Sequence, residues 1–155
     1  MLRVGFLPSD FNPMVLMLGE SEDLRCLAGV LRHFSRDGGS VRLHELAFCA
    51  AAGTRITLMR ADGAAGLQRA ADDTAHWQWR LDASQAAAFA EQVEGLAFPA
   101  RIAGSEVLQC GTAEDVPVKV SRGEYTDDFL SAGAYTASYA AVEFNGFTPV
   151  RTHCI

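Results

Sequence analysis

The feature that most constrains the fold of this chain is an amphipathic helix that directly follows a short apolar strand. Apolar residues recur at three- and four-residue spacing between positions 24 and 34, which places them on one face of a helix. Ser21 offers an N-cap oxygen, and Gly38 supplies a stop. The apolar run Met14–Leu18 has the length of a strand. These patterns predict a strand at Met14–Leu18 and a helix at Ser21–Arg36.

Two further strands are predicted after this helix. Apolar and polar residues alternate from Val41, with a slip at Glu45-Leu46 that suggests a bulge or an early end, and a second strand covers Arg55–Arg60. The connection between them is too short for a crossover helix, which predicts an antiparallel pair. The segment 61–74 is rich in Ala, Gly and Asp and predicts a loop or a short loose helix.

A similar order of elements begins again near residue 77, at an offset of about sixty residues. Trp77, Trp79 and Leu81 alternate with polar residues and predict a strand whose tryptophans face the core. A helix at Ser84–Leu96 follows, with Asp82 or Ser84 as its cap and Gly95 as its end. Strands are expected at 100–109 and 116–121, and Pro117 favours an edge position or the mouth of a strand.

The predicted fold class is α+β, with an antiparallel-rich sheet and two main helices on one face. The halves 14–60 and 77–121 suggest a β-α-β-β pseudo-repeat of pattern only, because their residue identity is poor. The alternative is that any small α+β protein looks twofold at this level of detail. Residues 1–155 are expected to form a single domain, in which 122–155 are a C-terminal extension.

Charge and cysteine content restrict the possible partners and compartment. Nineteen acidic against thirteen basic residues give a net charge of −6, which disfavours nucleic acid and anionic membranes as partners. Pro8 and Asp10 interrupt the apolar start of the chain, and no segment has the length to span a bilayer, so a cytoplasmic location is expected. The four cysteines lack C-x-x-C spacing and are expected to be reduced thiols.

The sequence carries no recognised catalytic, phosphate-binding or metal-binding motif, and neither a cofactor nor a metal is predicted. The four histidines are scattered along the chain. His44 and Glu45 are adjacent on a predicted strand, where their side chains would point to opposite faces. No cysteine has a base and an orienting group beside it in the sequence pattern, which favours a protein that is not an enzyme.

Acidic and aromatic residues near the C-terminal end offer candidate sites. Paired carboxylates can serve a glycosidase or hold Mg²⁺. Local structure also accounts for these carboxylates. Thr126 can cap a helix that begins with Asp127 and Asp128. A solvent-exposed turn suits the acidic pair at positions 114 and 115. A third interpretation is a surface that binds a basic protein partner. The residues assigned to it are Glu114, Asp115, Glu124, Tyr125, Asp127, Asp128, Tyr135 and Tyr139.

The stretch from Leu16 to Leu31, which reads LMLGESEDLRCLAGVL, resembles a pattern of small bacterial proteins of the polymorphic-toxin immunity type. In that pattern an apolar strand leads through Gly and Ser or Thr into a helix. The resemblance implies a small α+β protein that binds and blocks a toxin, with no catalytic residues. The stretch from Val116 to Leu130 also resembles a block of an uncharacterised bacterial family, which implies no function.

Three functions stay open at this level. The first is a non-enzymatic bacterial binding protein, for which the resemblance implies an immunity-type inhibitor of a basic toxin. The second is a small enzyme or ligand-binding domain with Asp127 and Asp128 near a pocket. The third is a homo-oligomer, such as a homodimer, that is joined through the aromatic tail at 135–147.

Overall fold

The computed structural model describes residues 1–51 and 53–131. Two long helices and nine strands lie in these residues, which confirms the predicted α+β class. The helices are α1 (Ser21–Asp37) and α2 (Ala83–Ala97). The strands are β1 (Leu2–Leu7), β2 (Met14–Leu18), β3 (Ser40–Arg42), β4 (Cys49–Ala51), β5 (Arg55–Arg60), β6 (Gly66–Arg69), β7 (His76–Leu81), β8 (Gly104–Leu108) and β9 (Val118–Arg122).

The strands form two mixed sheets. The first has the order β4-β1-β2-β9-β8, and the second has the order β3-β5-β7-β6. In each sheet a parallel pair, β2–β9 or β5–β7, joins two antiparallel pairs, and β4 adds a parallel edge strand to the first sheet. The predicted antiparallel pairing of the strands that follow α1 is confirmed as β3–β5. The structure thus refines one antiparallel-rich sheet into two sheets of similar plan.

The two halves of the chain exchange strands between these sheets. The β1–β2 pair lies in the first sheet, and the chain then passes through α1 to β3 and β5 in the second sheet. The β6–β7 pair lies in the second sheet, and the chain then passes through α2 to β8 and β9 in the first. The predicted β-α-β-β order is present in both halves. Each unit also includes the strand before it, so the repeat is β-β-α-β-β, to which the first half adds β4 at the edge of the first sheet.

The N-termini of the two helices show that individual residues of the two halves are equivalent. Glu20 is the N-cap of α1 and Asp82 is the N-cap of α2, a separation of 62 residues. Each cap backbone N–H donates to the side chain three residues later, namely Asp23 at 2.9 Å and Gln85 at 3.0 Å. The prediction of Ser21 as the first cap is wrong, because this residue is already helical and its hydroxyl donates to the carbonyl of Ala97.

The two helices pack along each other, and equivalent positions meet between them. Arg32 of α1 forms an ion pair with Glu94 of α2, again 62 residues away. A group on a twofold axis contacts its own equivalent, so this ion pair marks the pseudo-twofold axis of the fold. Arg60 and Arg122 are also equivalent, since the same number of residues separates them. Arg60 lies beside Gly38 at the end of α1. Arg122 donates hydrogen bonds to two carbonyl oxygens at the end of α2.

Buried side chains from both helices and both sheets form one continuous core. Trp77 and Trp79 are buried, as predicted, and Trp79 stacks on Phe89 of α2 with ring centroids 6.0 Å apart. The prediction that α2 ends at Gly95 is wrong. An interior glycine costs a helix about 1 kcal/mol, and burial of the two residues that follow it offsets this cost.

One other expectation from the sequence is corrected, that for the segment 61–74, and two are decided between their alternatives. The strand from Val41 ends at Arg42, and Leu43–Glu45 form a 3-10 turn. The segment 61–74 contains β6. Pro117 precedes β9, which lies inside its sheet, so this proline marks the mouth of a strand and not an edge.

Candidate functional site

A groove opens at the ends of the two sheets. Strands β2 and β9 are parallel neighbours, so the loops that lead into them, 8–13 and 109–117, meet at the same edge. Two adjoining hollows of about 460 Å³ and 290 Å³ lie there. Both are lined by Pro13, Glu114 and Val116. The larger is also lined by Phe6, Gln68, Arg69 and Trp77, and the smaller by Phe11, Asn12, Gln109, Ala113, Asp115 and Pro117.

Aromatic rings from both sheets form one wall of the groove. Phe6 of β1 and Trp77 of β7 approach with ring centroids 4.8 Å apart. The guanidinium carbon of Arg69 lies 4.8 Å from each ring centroid, which is cation–π distance. Arg69 is opposite Trp77 in the β6–β7 register, so the strand pairing itself places the cation over the rings. The side chains therefore connect the two sheets at this point.

A buried carboxylate fixes the loop that forms the other wall. Asp115 is 8% exposed, and one of its oxygens accepts the backbone N–H of Leu67 at 2.8 Å. The other oxygen accepts the N–H groups of Cys110 and Gly111. The N–H of Val116 then donates to the carbonyl of Leu67 at 2.9 Å. The loop between β8 and β9 is thereby attached to β6 of the opposite sheet.

The close approach of this carboxylate requires glycine at position 66. Gly66 has a φ of 119°, which L side chains rarely adopt. A Cβ added there would lie 2.5 Å from Oδ1 of Asp115. No sequence pattern indicates this requirement, because residues 66 and 115 are far apart along the chain.

Both Glu114 and Asp115 are predicted from the sequence to bind a partner, but the structure gives their side chains different environments. The Asp115 carboxylate is already occupied by three backbone N–H groups. Glu114 is exposed, lines both hollows, and forms no ion pair with any residue that the structure describes. Phe11, at the tip of the neighbouring loop, is 91% exposed. The groove thus combines a solvent-accessible carboxylate with an exposed aromatic ring.

The other predicted partner-binding residues lie away from this groove. Tyr125 accepts a hydrogen bond from the Lys119 ammonium at 2.6 Å, and the ammonium also lies 4.6 Å from the tyrosine ring centroid. Asp127 pairs with Arg3 of β1 at 2.5 Å. Glu124 and Asp128 are exposed. Tyr135 and Tyr139 lie outside the described residues.

The prediction of a capped helix at Thr126 is confirmed in its position, since residues 127–131 are helical. The Phe129 N–H donates to the Thr126 carbonyl at 3.1 Å, which is the first hydrogen bond of this turn. A Cβ added to Gly5 would lie 2.8 Å from a terminal carbon of Leu130, so the turn packs directly on β1. Neither Asp127 nor Asp128 lines the two hollows of the groove.

The structure brings together two histidines that looked scattered in the sequence. The rings of His44 and His76 have centroids 6.4 Å apart. Because Leu43–Glu45 form a 3-10 turn, the expectation that His44 and Glu45 point to opposite faces is wrong, and Nε2 of His44 lies 4.0 Å from the Glu45 carboxylate. Residues 44 and 76 come close together because β5 pairs with β7. The periodicity of a sequence does not reveal which strands pair, so it could not predict this cluster.

Burial makes Cys49 and Cys110 poor nucleophiles. Burial raises the pKa of the Cys110 thiol to about 11, with smaller contributions from the charges of Asp115 and Asp82. Burial also raises the pKa of Cys49. A thiol must lose its proton to attack or to bind a metal, so Cys110 is unreactive near neutral pH. Cys26, Cys49 and Cys110 are free, as expected, and Cys154 lies outside the described residues.

The wider comparisons add no assignment of function. No known protein family, curated protein or solved structure matches the chain. In residues 1–51 and 53–131, no group of three or more histidine, cysteine, aspartate or glutamate side chains is placed to hold a metal ion. Neither of the long helices within the same ranges is apolar enough to cross a bilayer.

Proposed function

We propose that this chain is a non-enzymatic binding protein that receives a basic protein partner in the groove at Glu114. The observation that carries the proposal is an exposed carboxylate, without an ion pair to any residue in 1–51 or 53–131, between apolar surfaces on both sides. Phe11 and Pro13 lie on one side, and the Phe6–Trp77 pair lies on the other. The buried Asp115 holds the loop in place before any partner arrives, which lowers the entropy cost of binding.

The groove suits a lysine or arginine side chain on the surface of the partner. Its charged end would pair with Glu114, while its aliphatic stem would cover Phe11 or Pro13. Arg69 offers donors for a carbonyl or carboxylate oxygen of the same partner, since stacking on two rings leaves its N–H groups available. The net charge of −6 would also speed the approach of a basic protein.

The resemblance of residues 16–31 extends this proposal to an immunity-type inhibitor that blocks a toxin in the bacterial cytoplasm. Three free cysteines in the described residues support a reducing compartment. The enzyme alternative gains no support from the placement of Asp127, because its carboxylate is 66% exposed and paired with Arg3. The oligomer alternative depends on residues outside the described ranges.

The proposal is tested by affinity capture from the native source with two charge-neutralised variants. The captured partner is expected to bind Glu114→Gln about tenfold more weakly, because about 1.4 kcal/mol of lost charge pairing corresponds to that change in Kd. Glu124→Gln removes the same charge from an exposed position outside the groove and is expected to capture the partner normally. Equal capture by both variants would overturn the assignment of the groove.

The immunity-type extension has a separate test. Expression of the captured partner alone in a bacterial host is expected to stop growth, and co-expression of this chain is expected to restore it. Glu114→Gln should fail to restore growth, whereas Glu124→Gln should restore it. A captured partner that does not affect growth would refute the inhibitor role and leave the binding groove intact.

A further inference from the structure

A second hollow, separate from the groove, lies on the outer face of the second sheet. Arg42, Thr57 and Gln78 form one transverse row across β3, β5 and β7, and Arg55 lies opposite His76 in the next row. These side chains point away from the core, because Ile56, Leu58, Trp77 and Trp79 alternate with them and are buried. The hollow has a volume of about 300 Å³ and is lined by Arg42, His44, Glu45, Arg55, Thr57 and His76.

Hydrogen-bond donors outnumber acceptors around this hollow. The Nδ1 atom of His44 lies 3.1 Å from the carbonyl oxygen of Ile56. A carbonyl can only accept, so Nδ1 donates its proton to this oxygen and Nε2 is turned away from it. Thr57, which is 8% exposed, and His76 hold each other through a contact of 2.8 Å between Oγ1 and Nε2. These contacts order both imidazole rings beside the hollow.

Two guanidinium groups complete the lining, and each keeps donors to spare. One nitrogen of Arg42 pairs with Glu45 at 3.0 Å, and one nitrogen of Arg55 pairs with Asp73. An arginine has five N–H donors, so both retain groups that can turn towards an incoming anion. Glu45 is the one carboxylate in the lining, and an anion would compete with it for Arg42. This competition predicts moderate affinity.

From this arrangement we infer that the hollow binds a small oxyanion, the phosphate or carboxylate group of a ligand. Two planar guanidinium groups match the paired oxygens of either group. The volume is at the lower end of the range for ligand pockets, which suits a small group. The groove at Glu114 is not involved, so this site does not depend on the proposed function.

Histidine NMR tests the inference directly. Titration of the whole chain with inorganic phosphate, and separately with acetate at constant ionic strength, is expected to shift the ring signals of His44 and His76 along a saturable curve. The expected Kd for the better anion is about 1–10 mM, the affinity of a few hydrogen bonds in competition with Glu45. His33, paired with Asp37 on the exposed side of α1, should not show saturation. The anion that binds more tightly identifies the ligand group.

A pair of arginine variants controls for general charge effects. Arg42→Gln is expected to weaken binding at least fivefold. Arg25→Gln should leave binding unchanged, although it also removes one charge from an exposed i, i+3 ion pair, that with Glu22. Equal weakening by both variants would show only non-specific attraction. An absence of saturable shifts at His44 and His76 with either anion would overturn the site.

Discussion

The carboxylates at positions 114 and 115 are neighbours in the chain but have opposite environments. Asp115 lies under the loop and accepts three backbone N–H groups, whereas Glu114 faces solvent in the groove. A buried carboxylate stabilises a loop by satisfying donors that would otherwise be unpaired. An exposed carboxylate contributes little to stability and is free to bind.

This difference predicts that substitution of Asp115 lowers the free energy of unfolding much more than substitution of Glu114 does. Asp115→Asn replaces one accepting oxygen with an NH₂ group that faces backbone donors. It is expected to lower the free energy of unfolding by about 1.5–3 kcal/mol, as for hydrogen bonds to charged groups. Glu114→Gln is expected to change it by less than about 0.5 kcal/mol. Urea unfolding of both variants measures these values, and similar losses would contradict the separate roles.

The raised pKa of Cys110 predicts how its reactivity depends on pH. The pKa rises from the ordinary value of 9.0 to about 11, so the folded chain holds the thiol proton more tightly than the unfolded chain. The resulting stabilisation is complete below about pH 9 and is lost as the pH rises towards 11. Alkylation of native Cys110 by iodoacetamide should therefore keep accelerating between pH 9 and 11, as followed by mass spectrometry. In urea the rate should level off near pH 9, and an early plateau in the native chain would argue against burial of this thiol.

At the scale of the element, α2 shows how burial overrides a local stop signal. Glycine commonly ends helices because it adopts positive φ at low cost. Gly95 does not have positive φ, and the helix continues through the buried residues Leu96 and Ala97. The helix ends at the Phe98-Pro99 pair instead, where the proline restricts the preceding residue to extended backbone.

A Gly95→Ala substitution distinguishes an interior position from a terminal one. A Cβ at Gly95 would meet no atom within 4 Å, so alanine is expected to stabilise the chain by about 0.5–1 kcal/mol. Gly29→Ala, in the interior of α1 with equally open surroundings, is expected to stabilise it similarly. Thermal unfolding measures both. Destabilisation by Gly95→Ala alone would mean that this glycine ends the helix.

At the scale of the whole molecule, the exchange of strands makes each half depend on the other. The first sheet contains β1 and β2 from one half and β8 and β9 from the other, and the second sheet has the corresponding mixture. Neither sheet can form from one half alone. The Arg32–Glu94 ion pair and the packing of α1 on α2 join the halves again at the centre.

This dependence predicts a single cooperative unfolding transition. Met17→Ala removes buried volume from the first sheet and is expected to cost about 2–5 kcal/mol. Tryptophan fluorescence reports on the second sheet, where Trp77 and Trp79 lie, and far-ultraviolet circular dichroism reports on the whole chain. Both midpoints should fall by the same amount in urea. A fluorescence midpoint unchanged by Met17→Ala would show that the sheets unfold separately.

Local patterns determined most elements of this fold. The apolar face of α1 and the alternation at Trp77–Leu81 are set by periodicity, which reflects which side of an element is buried, and the strand at Met14–Leu18 is set by the length of its apolar run. The position of β6 escaped prediction because only four residues form it, in a segment of small and polar residues. The 3-10 turn at Leu43–Glu45 escaped because its alternating residues also suit a strand.

The sequence by itself determined the fold class, the repeated order of strands and helices, and Glu114 as one candidate among eight. Only the tertiary structure decided that the halves exchange strands, that Asp115 is buried beside Gly66, and that Phe6, Arg69 and Trp77 meet. The same holds for the histidine and arginine hollow. The physical reason is range. Periodicity and capping act over a few residues, whereas strand exchange and both sites depend on contacts between different elements of the fold.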